Sequence, residues 1–254
     1  VVSHIDDVAQ SIIQAVTEDE RLSGVKVSTA TVNINGPHIT GINSKGVIAI
    51  STANKEITVD DRERVEAAAT IIKLPPNRDI IQVFAKSYRL DGQESIKEPV
   101  GMHGVRLEVE THIITVASPA IKSLDASLHK ANIDHPNYMV SSLASAEAVL
   151  NRQQKESGTV VLDIGAATTN LVVFEEGEVQ HVAVVPIGGI HMTNDLAIGL
   201  RTDLDVAEAA KIQAGSLDES SKVHRAVRVK HDGKEYDFIE ADIHMILEAR
   251  AQEL

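Results

Sequence analysis

The stretch Thr159-Val160-Val161-Leu162-Asp163-Ile164-Gly165-Ala166-Ala167-Thr168-Thr169-Asn170 decides how the rest of the chain is read. Its first residues are aliphatic and largely β-branched, which predicts a buried strand delivering Asp163 at its end. Small residues follow, then paired threonines, then a second apolar run, Leu171–Glu175, that predicts a returning strand. Small side chains let backbone N–H groups approach a phosphate closely, and threonine hydroxyls add donors. An aspartate at the end of the strand suits a hydrated Mg2+ beside those phosphates. The same residues also suit an ordinary β-hairpin in which Asp163 and Gly165 only make the turn.

Towards the C-terminus, Glu176-Gly177 predicts a turn, Val179–Val185 a third strand, and Gly188-Gly189 the start of a helix reaching Leu200. Another helix is expected over Val206–Ala214. It places Glu208 and Lys211 on one face, where they either bracket a ribose or purine edge or form a solvated ion pair. Ser216–Ser221 reads as a polar loop, followed by strand-like and helical pieces up to Leu254. Towards the N-terminus, Asn151–Gly158 is a polar break, Ser141–Leu150 a helix and Tyr138-Met139-Val140 a strand. A helix from Ser118-Pro119 to about Asn132 turns Ile121, Leu124 and Leu128 inward. At the start of the chain, Ile5, Val8, Ile12 and Val16 share one face of an amphipathic helix. Val25–Ile34 then alternates as a strand and ends at Asn35-Gly36-Pro37.

Between Pro37 and Thr115 the texture changes. Val47–Ile50 predicts a strand, and a helix capped by Thr58 or Asp60 is expected to run to Lys73, where Pro75-Pro76 stops it. Ile80–Arg89 and Val105–Val116 predict two long strands joined by a loop holding Lys97-Glu98-Pro99-Val100-Gly101. One helix with three or more strands makes a small α+β unit, inserted into a larger domain.

Composition narrows the functional classes. The chain has 254 residues, 43 % apolar but only 2 % aromatic with no Trp, so aliphatic side chains must build the core. The absence of Cys excludes disulfides, thiolate metal sites and cysteine nucleophiles. A net charge of −13 repels a phosphate backbone, which argues against nucleic-acid binding. The eleven His residues show no His-Glu-x-x-His or similar metal spacing, and Ser141-Ser142 lies in no Gly-x-Ser-x-Gly elbow. The start, Val1-Val2-Ser3-His4, has neither an initiator Met nor a signal peptide, and a cut N-terminus is expected.

The order of these pieces resembles the actin-like ATPase superfamily, and Asp163–Asn170 is similar to its second phosphate loop, Asp-Ile-Gly-Gly-Gly-Thr-Thr-Asp. More specifically, the chain resembles the FtsA family of bacterial cell-division proteins. Ile96-Lys97-Glu98-Pro99-Val100-Gly101-Met102-His103-Gly104-Val105-Arg106 is similar to the hallmark of that family's inserted subdomain 1C. Leu107–Thr115, Leu143–Leu150 and Thr193–Thr202 agree as well. The resemblance implies an α/β, actin-like (ribonuclease-H-like) fold with an inserted α+β 1C subdomain. Residues 1–36 and 117–158 then fall in subdomain 1A, 37–116 in 1C, 159–205 in 2A and 206–254 in 2B.

The resemblance further implies a division adaptor that binds MgATP, self-associates into actin-like filaments and links FtsZ filaments to the membrane. Asp163 is expected to hold Mg2+ through water, and Gly165, Ala166, Ala167, Thr168 and Thr169 to contact phosphates. Gly188 and Gly189 would join them, with Glu208 and Lys211 facing the nucleoside. In 1C, Asp60, Asp61, Arg62 and Arg64 form either a self-paired helix start or a surface for a neighbouring subunit or late division proteins. The implied location is the inner face of the cell membrane at the division site, reached only through a C-terminal helix that would lie beyond Leu254. The superfamily's first phosphate loop would lie before this chain and its adenosine loop after it. Either a fragment or a shortened relative is expected.

Departures bear on mechanism. Family members usually carry three glycines where Gly165-Ala166-Ala167 stands here, and an Asp where Asn170 stands. The added methyl groups narrow backbone approach. Relatives often have Glu-Pro where this chain has Ser141-Ser142, and Glu147 lies over a turn further in. At most a slow ATPase is expected, because phosphoryl transfer depends on positioning and charge stabilisation. The alternatives are a nucleotide-independent scaffold of the same fold, a shape-determining filament or a pilus-assembly adaptor.

Overall fold

The computed structural model describes residues 2, 4–134, 136–218 and 224–253. Residues 219–221 of the expected Ser216–Ser221 loop lie outside the described residues, as do Val1, Ser3 and Leu254. The chain divides into two compact units, one comprising Val1–Asp163 with Asn170–Val184 and the other Ile164–Thr169 with Val185–Leu254.

The first unit opens with α1 (Ile5–Ser23), ended by Gly24 in the left-handed region at φ 71°. Its amphipathic face packs on α3 (Ser118–Lys130). Strand β1 is only Thr31–Ile34, shorter than the alternation from Val25 implied, and pairs in parallel with β6 (Asn137–Val140). Helix α4 (Ser141–Val149) follows β6 directly, and the expected polar break contains a short helix, α5 (Arg152–Ser157), started by an Asn151–Gln154 capping box.

The insertion is a four-stranded antiparallel sheet in the order β2-β5-β3-β4, made of β2 (Ile39–Ala49), β3 (Arg78–Leu90), β4 (Gln93–Ile96) and β5 (Arg106–Ala117). Helix α2 (Val59–Ala69) lies over it, burying Val65 and Ala69 against Ile50, Ile57, Tyr88, Leu107 and Val109. Gly46 makes that seat possible: a Cβ there would stand 2.1 Å from the carbonyl oxygen of Val65. Helix α2 stops at Ala69, short of the expected Lys73. The β-branched Thr70-Ile71-Ile72 follows, and the Thr70 hydroxyl donates to the carbonyl of Ala67.

The hairpin stretch forms β7 (Thr159–Ile164), β8 (Thr169–Glu175) and β9 (Glu178–Val185), a sheet in that order. Val172, Phe174, Val179 and Val182 join Ile34, Ile114, Val116, Val140 and Leu143 in one core. Strand β7 is not the buried strand expected of it. Its burial alternates, leaving Val160, Leu162 and Ile164 at 54 %, 60 % and 60 % exposure. Buried His112 on β5 ties the insertion to this sheet: its Nε2 accepts the Val182 N–H at 3.0 Å, and its Nδ1 meets Asn43 Oδ1 at 2.7 Å. Burial pushes the imidazole down to about 4, so the neutral ring donates from Nδ1 and accepts at Nε2.

The second unit holds α6 (Gly189–Leu200), α7 (Leu204–Ala214), the hairpin β10 (Ala226–His231) and β11 (Lys234–Ile239), and α8 (Glu240–Ala251). Leu196, Ala207, Ala210, Val229, Ile243 and Leu247 form its core. Arg250 joins α8 to α6 through both carboxylate oxygens of Asp195, at 2.5 and 3.0 Å.

Candidate functional site

The loop Gly165–Thr168 is a tight reversal in which the Gly165 N–H donates to the Thr168 carbonyl at 2.9 Å. Gly165, Ala166 and Ala167 are exposed, while Thr168 and Thr169 are buried. None of the three small residues has a positive φ, so both alanines sit in backbone conformations that L-residues adopt freely. A Cβ at Gly165 would lie 3.1 Å from the Thr168 carbonyl, closer than ordinary contact. The Thr169 hydroxyl donates to the Ile187 carbonyl at 2.9 Å, pinning the loop to the segment before α6.

Gly188 and Gly189 support the loop from beneath. The Gly189 N–H donates to the Gly165 carbonyl at 3.0 Å, and the Ile190 N–H to that of Ala166 at 2.8 Å. The Gly188 N–H donates to His191 Nδ1 at 3.1 Å. A Cβ at Gly188 would stand 2.5 and 2.7 Å from the carbonyl oxygens of Gly165 and Ala166. The first amides of α6 are thus engaged by the loop carbonyls and by His191.

Glu208 and Lys211 on α7 close onto α6. Lys211 Nζ lies 2.7 Å from Glu208 Oε2, 2.9 Å from Thr193 Oγ1 and 3.2 Å from the Gly189 carbonyl. Thr193 donates its hydroxyl to Glu208. The bonds from Lys211 and Thr193 hold the Glu208 carboxyl below its usual range. Thr193, buried at the fourth residue after Gly189, was not singled out in the sequence, although that helical spacing is its signal.

In the first unit, Asp163 is half-buried and its Oδ2 accepts the Ser145 hydroxyl of α4 at 3.2 Å. Ser145 was also missed, because a serine in mid-helix carries no pattern of its own. Ser141 faces Asn33 Oδ1 at 3.0 Å, and Glu147 pairs with Lys155 at 2.6 Å. Among the described residues no group of three or more His, Asp or Glu is arranged to hold a metal, and no helix is long and apolar enough to cross a membrane.

In the insertion, Asp61 is 3 % exposed and forms a capping box with Thr58, while its second oxygen takes Arg64 at 2.8 Å. The Thr58 bonds hold its carboxyl below the usual range. Arg62 pairs with Glu98 at 2.7 Å. Asp60 and Arg64 are exposed. The Ile96–Arg106 segment is bonded inward: the Gly101 N–H reaches the Ile57 carbonyl, the Gly104 N–H that of Lys55, and Lys97 Nζ that of Glu176 at 2.5 Å.

Known proteins are similar to this chain in both parts. The family model "SHS2 domain inserted in FTSA" matches residues 36–115, and "Cell division protein FtsA" matches residues 160–238. The FtsA of Pseudomonas aeruginosa is 38 % identical over 84 % of this chain and 51 % of its own length. That of Bacillus subtilis is 35 % identical over 98 % of this chain and 58 % of its own. The chain therefore spans about half the length of the curated relatives it matches. Among solved structures, the PilM-PilN type IV pilus biogenesis complex superposes with a TM-score of 0.56 at 19 % identity, covering 84 % of this chain and 57 % of that one. The fold is that of the actin-like ATPases, with an SHS2 domain inserted. Within that class, the chain belongs to the FtsA family of cell-division proteins.

Proposed function

We propose that this chain is the nucleotide-binding and insertion-bearing part of a division adaptor. It binds MgATP, self-associates into actin-like filaments and helps link FtsZ filaments to the inner face of the cell membrane. The observation that carries the nucleotide reading is the exposed Gly165–Ala167 backbone, held in a fixed reversal on Gly188 and Gly189 without left-handed strain. Such a loop fits a phosphate, because close approach needs small residues and open backbone. In this reading Asp163 holds Mg2+ through water, Gly165–Thr169 contact phosphates, and Glu208 and Lys211 face the nucleoside. Gly188 and Gly189 act by supporting the loop. Subdomain limits at residues 36, 116, 158 and 205 are proposed with it, and the span of the insertion model, 36–115, supports the first two.

Isothermal titration with ATP and Mg2+ tests the site. Thr168→Arg is expected to abolish binding while circular dichroism and cooperative melting persist; unchanged affinity in the folded variant would sink the assignment.

A second reading, a nucleotide-independent scaffold, is favoured by the way Lys211 and Glu208 are engaged with each other and with Thr193. It predicts no ATP binding by the unmodified chain and filaments that form equally without nucleotide.

A further inference from the structure

Where α6 meets α7 in the second unit, the donors are spent and one acceptor is left over. A lysine ammonium has three N–H groups, and Lys211 Nζ meets three oxygens. They are Glu208 Oε2 at 2.7 Å, Thr193 Oγ1 at 2.9 Å and the Gly189 carbonyl at 3.2 Å. The Gly189 and Ile190 N–H groups are already taken by the carbonyls of Gly165 and Ala166. The Thr193 hydroxyl donates to the same Glu208 oxygen that Lys211 holds. Among the described residues nothing bonds to the other, Oε1. Glu208 is also the more open member of the ion pair, its side chain 43 % exposed against 22 % for Lys211. The bonds from Lys211 and Thr193 hold its carboxyl below the usual range, so it is ionised and only accepts.

This arrangement gives Glu208 and Lys211 different tasks. A phosphate needs donors, and Lys211 and the two amides have none to spare. A ribose offers hydroxyl donors, which an ionised oxygen accepts in short, charge-assisted bonds. Thr193, at 1 % exposure, is out of reach of any ligand. Its effect must pass through Glu208, whose rotamer it fixes together with Lys211.

We propose that Glu208 alone reads the ribose hydroxyls of a nucleotide, through Oε1, and that Thr193 and Lys211 are positioning residues that make no contact with it. The inference rests on the nucleotide reading above, and within it Lys211 serves the nucleoside only by holding Glu208.

Isothermal titration compares ATP with its dideoxy analogue, which lacks both ribose hydroxyls. The unmodified chain is expected to bind ATP about tenfold more tightly than the analogue. Thr193→Val, which removes the hydroxyl and keeps the shape, should erase most of that preference and leave the affinity for the analogue unchanged. Thr193→Ser should restore it. In a Glu208→Gln background, Thr193→Val should cost nothing further, because it acts only through Glu208. Equal affinity for the two nucleotides in the unmodified chain overturns the inference while the nucleotide reading stands; binding of neither removes both. A Thr193→Val variant that keeps the preference, or weakens both nucleotides alike, overturns the inference too. If that variant does not fold, Lys211→Met decides: loss of the preference alone supports a positioning role, and equal weakening of both nucleotides overturns it.

Discussion

Gly188 is irreplaceable for a reason that lies in other residues. Its missing Cβ leaves room for the carbonyls of Gly165 and Ala166, and backbone cannot retreat as a flexible side chain can. Gly188→Ala is expected to destabilise the second unit by about 1–3 kcal/mol, read as a lowered urea midpoint, and to weaken the proposed ATP binding more than Gly165→Ala does. At this scale the shape of the candidate loop was legible in the sequence: small residues between two apolar runs announced a reversal, and the structure makes one. What escaped was the set of second partners. Thr193 and Ser145 hold Glu208, Lys211 and Asp163 through bonds between distant elements. A lone hydroxyl in a helix gives no sign of the partner that tertiary packing will bring.

Helix α2 shows what a local signal is worth. Thr58 and Asp61 each satisfy the other's backbone N–H, and Thr58→Ala is expected to cost about 1 kcal/mol of stability, measurable by thermal melting. The cap was readable from Thr58 and the acidic residues after it. The helix end was not, because four helical-looking residues from Thr70 yield to β-branching before the prolines are reached. Strand β2 erred the other way. A strand was expected only over Val47–Ile50, yet β2 begins at Ile39 and all eleven of its residues pair with β5, whose length imposes the register. Strand β7 read as buried because its run is aliphatic throughout, whereas only one of its faces is covered within the first unit.

For the molecule as a whole, the insertion and the β7-β8-β9 sheet share one core, and His112 is their polar rivet. Its folded value of about 4 lies below the ordinary 6.5, so the unfolded chain takes up the proton first as pH falls. Stability is therefore full above about pH 6.5 and declines towards pH 4, by up to about 3 kcal/mol from this group. Urea midpoints at pH 7 and 5 should differ for the wild type, and the difference should shrink in His112→Gln; an equal pH response in both would count against the rivet. The proposed assembly belongs to this scale too. Asp60→Lys with Arg64→Glu reverses two of the exposed charges of α2 and is expected to disrupt filaments seen by electron microscopy, with normal filaments counting against an α2 contact. The His112 junction also dictates where the sequence is free to drift. It grips the main chain of residue 182, so the bond asks nothing of that side chain beyond an aliphatic fit in the core, whereas a Cβ at Gly41 would stand 2.4 Å from the imidazole. In a saturation library selected for folding, positions 41 and 112 should come through nearly invariant while position 182 wanders among Val, Ile and Leu.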